Sequence, residues 1–288
     1  MRLLKRDGSF NIVRTGHFRR FSDSYHTMLR MGWAEFLAWL LLVYLTINGL
    51  FAAGYLACGP GSLGGSRGID QGSRFWDAFF FSVQTFATIG YGKITPIGMA
   101  ANILVTIEAL VGLLSLALAT GLLFARFSKP TARVVFSNRA ILSKHDGIPS
   151  LIFRIANQRL NQIVEAQVSF VLSINEVTEE GERYRNFYDL KLERSRSPIF
   201  ALTWLVVHPI DSTSPLFEKT DEFLKQGFAE FVVSLTGIDD TFSQTIHARY
   251  SYLPDEIVWG GKFGDILSRT PDNRIALDLK GIHEIIEG

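Results

Sequence analysis

The residues whose types and spacing could do chemistry are Thr88-Ile89-Gly90-Tyr91-Gly92. A cation sheds its water only where a close ring of oxygens replaces it. Main-chain carbonyls supply such oxygens without a full negative charge that would trap the ion. To aim successive carbonyls at one axis, the backbone must alternate between conformations that L-residues disfavour. Glycine adopts φ > 0 at little steric cost, which accounts for Gly90 and Gly92. Thr88 can add its hydroxyl at the inner end. Tyr91 is expected to face away from the axis and brace the loop against aromatics. One loop supplies one oxygen per layer, and a cage needs about four. The chain holds a single copy and no internal repeat, so such a cage requires a homotetramer. The plain alternative is a glycine-containing turn that matches by chance, because short motifs carry false positives.

The elements that must position this loop are apolar. The chain has 288 residues, a formal net charge of +1 and 47% hydrophobic residues, enough for two domains. Near-neutral charge argues against a nucleic-acid partner. The single cysteine, Cys58, excludes an intrachain disulfide and a Cys-rich metal site. The first apolar run begins too late for a cleavable signal peptide. Residues 1–32 read as a basic arm followed by a short amphipathic helix at the membrane surface, Ser22 to Met31. An ordinary first turn of the next helix is the alternative. The pore domain then covers 33–129. Its first spanning helix is expected over 33–58, because Phe36 through Ala57 carries no charge and about 20 such residues cross the hydrocarbon. Residues 59–72 are Gly- and Ser-rich. No strand precedes them, so an outer loop is expected there rather than a phosphate cradle.

A short helix over 73–87, capped by Ser73, leads its carbonyl end into residues 88–92. The second spanning helix, 98–127, follows the loop and so is expected to line a pore. Leu116, Thr120 and Phe124 recur every four residues on one face. Phe124 is the bulkiest and lowest of them. Copies of it make a constriction that closes by dewetting, or else Phe124 packs between helices. Gly112 and Gly121 serve either as hinges or as sites of close helix packing. Glu108 is an acid inside a span and is therefore a functional candidate. It is expected to partner short-helix groups such as Gln84 or Thr85, the alternative being direct cation contact. Basic residues cluster before the first span and after the second, at Arg126, Lys129, Arg133 and Arg139. By the positive-inside rule both termini are cytoplasmic and the loop opens outward.

From 130 to 288 the apolar runs shorten and alternate. Ala166, Val168, Phe170, Leu172 and Ile174 form the clearest period-two run, with Glu179-Glu180-Gly181-Glu182 as a turn. Further strands are expected over Ile199–His208, Phe228–Thr236 and Glu256–Phe263. Several short strands between turns point to a β-sandwich. The fold class is therefore an α+β membrane protein: two spans with a short helix and re-entrant loop, then a cytoplasmic β-sandwich.

Over about residues 8 to 286 the chain resembles inward-rectifier potassium channels, specifically the bacterial (KirBac) kind. The resemblance rests on the loop with its preceding Phe79-Phe80-Phe81-Ser82, and on Ala125-Arg126-Phe127-Ser128-Lys129-Pro130. It rests also on Arg194-Ser195-Arg196-Ser197-Pro198-Ile199-Phe200, on Ala248-Arg249-Tyr250-Ser251-Tyr252-Leu253, and on Glu256-Ile257-Val258-Trp259-Gly260. Potassium channels are the known users of this loop, so the agreement is a match and not a derivation. The resemblance implies K+ as the permeant ion, a tetramer and an immunoglobulin-like cytoplasmic domain. It implies the bacterial inner membrane, and Ba2+, Mg2+ or polyamines as blockers. A loop at the cytoplasmic pore mouth would map to Asp240, Thr241, Phe242, Ser243, Gln244 and Thr245.

The chain also departs from the eukaryotic pattern. Leu116 stands where an acid or Asn helps hold Mg2+ and polyamines, so steep rectification is not implied. Gln84 and Ile94 replace the pore-loop ion pair. Gly32-Trp33-Ala34 and Pro130-Thr131-Ala132-Arg133 replace clusters that hold phosphoinositides. Bacterial relatives are inhibited by such lipids. Arg126, Lys129 and Arg133 either meet anionic headgroups, each through roughly 1 kcal/mol, or serve as generic positive-inside anchors. Other function classes fit less of the chain. An enzyme needs a convergent nucleophile, base or metal set, and the six histidines are scattered. A membrane-tethered binding protein leaves residues 88–92 unexplained. A non-selective cation channel has nothing in the loop to favour it.

Overall fold

The computed structural model describes residues 2–6, 8–13, 24–66, 70–128 and 132–287. They form two compact units, one from the described parts of 16–129 and one from those of 1–15 and 130–288.

The first unit is helical. The short α1 spans Ser24–Arg30, and the start of the expected amphipathic helix, Ser22 and Asp23, lies outside the described residues. α2 spans Trp33–Ala57, and its opening turn is held by the Gly32 N–H donating to Glu35 Oε2 at 3.1 Å. It ends where Gly59 takes a φ of +99°, a left-handed stop that glycine adopts cheaply. α3 spans Gln71–Phe86. Its cap is Asp70 and not Ser73: the Asp70 carboxylate accepts from the Ser73 N–H at 2.7 Å. Both types cap well, and the cap simply falls three residues earlier than expected. α4 spans Gly98–Phe127 without a break. The two-residue strands β1 (Leu63–Gly64) and β2 (Thr95–Pro96) pair antiparallel and tie the segment before α3 to the one before α4. Ala52 and Tyr55 of α2, Ala78 and Phe81 of α3, and Ala101 of α4 make the common core. α2 and α4 are long and apolar enough to cross a membrane, and most of each is exposed in the single chain, unlike the core helix of a soluble protein.

The second unit is a sandwich. In chain order its strands are β3 (Val134–Phe136), β4 (Ala140–His145), β5 (Ile148–Asn157), β6 (Ile163–Val177), β7 (Arg183–Asp189), β8 (Arg196–Phe200) and β9 (Thr203–Pro209). Helix α5 (Asp221–Gln226) precedes β10 (Glu230–Asp239), β11 (Gln244–Tyr252) and β12 (Ile257–Trp259). Short strands β13 (Lys262–Phe263), β14 (Leu267–Arg269), β15 (Ile275–Leu277) and β16 (Ile285–Ile286) finish the described chain. One sheet runs β11-β10-β6-β7, with β8 also on β6. The other runs β12-β4-β5-β3, with β9 also on β5. The period-two run of β6 buries Val168, Phe170 and Leu172 against Phe153 and Ile155 of β5 and Phe231 and Val233 of β10. Full burial of each such side chain stabilises by roughly 1.5–3 kcal/mol.

Two strand expectations are corrected. Ile199–His208 is not one strand: β8 ends at Phe200 on one sheet and β9 begins at Thr203 on the other. A continuous apolar run says nothing of which sheet each half joins. Glu256–Phe263 likewise divides into β12 and β13, separated by Gly260 and Gly261, both at φ +81°. The N-terminal arm also holds structure that charge alone did not reveal. Leu4 bridges Phe10 and is buried, and the buried Glu230 carboxylate accepts from the Leu3 N–H at 2.6 Å and the Leu4 N–H at 3.1 Å.

Candidate ion-conduction site

The loop at 88–92 is built by the end of α3. The Gln84 carbonyl accepts from the Ile89 N–H at 2.7 Å and the Gly90 N–H at 3.3 Å, and the Thr88 N–H reaches the Thr85 carbonyl at 3.0 Å. These bonds turn the chain straight out of the helix. Alternate residues then lie in the left-handed region: Thr88 at φ +57°, Gly90 at +58° and Gly92 at +73°. Such alternation reverses successive peptide planes and lets neighbouring carbonyls face one way. The glycines were legible in sequence. A β-branched residue at positive φ is a genuine outlier, and Thr88 was not read as one. Tyr91 is 75% exposed and Ile89 is 50% exposed in the single chain. Among the described residues no aromatic ring of the same chain stacks on Tyr91.

Glu108 is fully buried, and its partners are not Gln84 or Thr85. The Tyr55 hydroxyl of α2 bonds Oε2, and the Ser82 hydroxyl of α3 bonds Oε1. Ser82 also reaches Oδ1 of buried Asn48 at 3.0 Å, whose Nδ2 donates to the Tyr44 carbonyl at 2.8 Å. The acid therefore joins all three long helices behind the loop. Ser82 lies within one turn of the residues expected. The rotation of α3 that buries Phe81 and Phe86 selects it. Tyr55 stands 53 residues from Glu108, beyond any local spacing rule.

Gly112 is buried, and a Cβ there would sit 2.6 Å from the Phe86 carbonyl oxygen. Here α4 packs closely against the end of α3. Gly121 is open on the single chain, with nothing within 4 Å of a Cβ. Leu116 is 64% and Phe124 73% exposed, and Thr120 is exposed with them, so this face of α4 is uncovered.

Of the three cations offered to headgroups, Arg126 has partners within the chain. Its Nη2 donates to the Met31 carbonyl at 2.8 Å and its Nη1 to the Met28 carbonyl, so the guanidinium turns inward onto α1. Lys129 lies outside the described residues, and Arg133 is exposed. Asp240 to Ser243 form the turn between β10 and β11, and Gln244 and Thr245 already belong to β11. Phe242 is exposed at its tip. The turn is anchored by Asp239, which accepts from the Thr241 N–H at 2.9 Å and Asn161 Nδ2 at 2.7 Å. Burial alone would raise the Asp239 carboxyl. These hydrogen bonds outweigh it and hold the group below its ordinary value.

A family model described as "Inward rectifier potassium channel C-terminal domain" matches residues 134–287, and one described as "Ion channel" matches 39–129. The inward rectifier potassium channel Kirbac3.1 of Paramagnetospirillum magnetotacticum is 50% identical over 99% of this chain and 96% of its own. The chain belongs to the inward-rectifier potassium channel family. Within that family the G protein-activated inward rectifier potassium channel 3 of Mus musculus is 30% identical over 99% of this chain and 78% of its own. The human ATP-sensitive inward rectifier potassium channel 12 is 30% identical over 99% and 71%. Among solved structures, Spo0M of Bacillus subtilis aligns at a TM-score of 0.27 and 8% identity over 45% of this chain and 50% of its own, a likeness too slight to bear on the fold. As an inward rectifier of bacterial type, the chain is an ion channel and not an enzyme, and the sandwich after its two spans is the family's C-terminal domain.

Proposed function

We propose that four copies of this chain assemble around one axis and pass K+ down its electrochemical gradient through Thr88, Ile89, Gly90, Tyr91 and Gly92. The observation that carries this reading is the alternation of left-handed backbone at residues 88, 90 and 92. It provides a stack of carbonyls on one side of each chain, and four chains complete each ring of oxygens. The exposed faces at Tyr91 and at Leu116, Thr120 and Phe124 support assembly, since a lone chain leaves them uncovered. The N-terminal arm and the sandwich lie in the cytoplasm of a bacterial inner membrane, as the basic flanks of the spans require. Phe124 narrows the inner pore and closes it by dewetting. The turn at 240–245 lines the cytoplasmic mouth, and Arg133 and Lys129 meet anionic lipids, which inhibit. Barium blocks from the axis. Mg2+ and polyamines bind weakly, because Leu116 offers them no charge.

The test is radioactive rubidium uptake into potassium-loaded liposomes holding the purified chain. Barium-sensitive uptake that sodium does not compete supports this function. Uptake that sodium competes well replaces it with a non-selective pore. No uptake from a proven tetramer, including a Phe124→Ala variant, overturns it.

A further inference from the structure

The carbonyls at the end of a helix have no partners within it and take up cations or N–H donors. Helix α1 ends at Arg30, and the Met28 and Met31 carbonyls lie at that end. Both accept from the guanidinium of Arg126, which is carried on the last turn of α4. The same guanidinium lies 4.7 Å from the Trp33 ring centroid and 4.4 Å from that of Phe36, at the start of α2. Of its five N–H donors, the one on Nε is buried and has no partner among the described residues. Next to it, the Phe127 ring packs on Trp33 at 4.9 Å between centroids. A planar, forked cation between two rings and two carbonyls is geometry that Arg satisfies and Lys does not.

We propose that Arg126 is a positioning residue that clamps the end of α1 to the last turn of α4, and that its charge serves main-chain carbonyls rather than a lipid headgroup. The consequence for flow rests on the constriction assigned above to Phe124, two residues earlier on α4. Wherever α1 moves, the clamp carries the end of α4 with it.

The test separates fork geometry from bare charge. Full-length Arg126→Gln and Arg126→Lys proteins are reconstituted in vesicles of zwitterionic lipid alone and in vesicles with added anionic lipid. Amide hydrogen exchange over residues 24–31 is expected to quicken about tenfold in both variants and in both lipids. Exchange in the core strands β6 and β10 stays unchanged and reports that the chain is folded. Barium-sensitive rubidium uptake is expected to shift about fivefold, by the same factor in both lipids. Trp33→Leu, which strips one ring from the guanidinium, reproduces the quickened exchange if Arg126 itself proves hard to replace. Lys restoring parental exchange and uptake, or effects confined to vesicles with anionic lipid, would overturn the clamp in favour of a headgroup ligand. Parental exchange over 24–31 in Arg126→Gln overturns it outright. Quickened exchange with unaltered uptake leaves the clamp standing and fails the constriction at Phe124 instead.

Discussion

Ser82 of α3 stands between two oxygens, Oδ1 of Asn48 at 3.0 Å and Oε1 of Glu108, with all three side chains fully buried. Ser82 has one hydrogen to give. The Asn48 amide is oriented by its bond to the Tyr44 carbonyl, so it presents only its oxygen to Ser82. Ser82 can satisfy only one of the two at a time unless residue 108 brings a hydrogen of its own. Glu108→Gln, which supplies a donor of the same shape, is expected to keep the assembly and its rubidium uptake. Glu108→Ala leaves Ser82 and Tyr55 without that partner and is expected to lose about 1–3 kcal/mol, read as a lower melting temperature in detergent. Equal melting of the two variants would contradict this accounting.

Gly90 sits at φ +58° with open space where a Cβ would go. Within its own chain Gly90→Ala therefore meets no clash, only the left-handed penalty of about 1 kcal/mol. The variant should assemble normally by size-exclusion chromatography while barium-sensitive uptake falls at least tenfold, about the effect of misaiming one ring of carbonyls. Retained uptake would show that carbonyl direction at this residue does not matter.

Phe124 is exposed on the chain, and its removal widens the pore if it faces the axis. Phe124→Ala is expected to raise uptake severalfold. A lower melting temperature without added flux would instead mark a packing residue between helices.

The two helix glycines should behave differently. Gly112→Val forces a side chain onto the Phe86 carbonyl, 2.6 Å from the Cβ, at a cost of about 1–3 kcal/mol. Gly121→Ala meets nothing within 4 Å in its own chain and improves helix propensity. Thermal melting of both in the same detergent decides the matter.

His208 is buried in the sandwich, with Nδ1 at 2.6 Å from the Lys191 carbonyl and Nε2 at 2.8 Å from Ser214 Oγ. Burial pushes its pKa below the ordinary value. The unfolded chain then binds the extra proton first, near pH 6.5. Stability is unaffected above that point and falls below it, at up to about 1.4 kcal/mol per pH unit, until the folded group also titrates. His208→Gln should flatten the part of the melting curve that lies below about pH 6.5. An unchanged slope would exclude His208 as its source.

Much of the molecule was legible along the chain because its cues are local. Apolar runs of the right length define α2 and α4, period-two burial defines β6, and glycines two apart mark the loop after α3. Each depends on residues within a few turns of one another. The partners of Glu108 were not legible, nor the packing of Gly112 on Phe86, nor the grip of Arg126 on Met28 and Met31, 98 and 95 residues away. The division of 199–208 between two sheets was hidden in the same way. Periodicity tells which face of an element is apolar. Which neighbour covers that face, and which polar groups are buried with it, is decided only when the elements pack and every buried donor must find an acceptor.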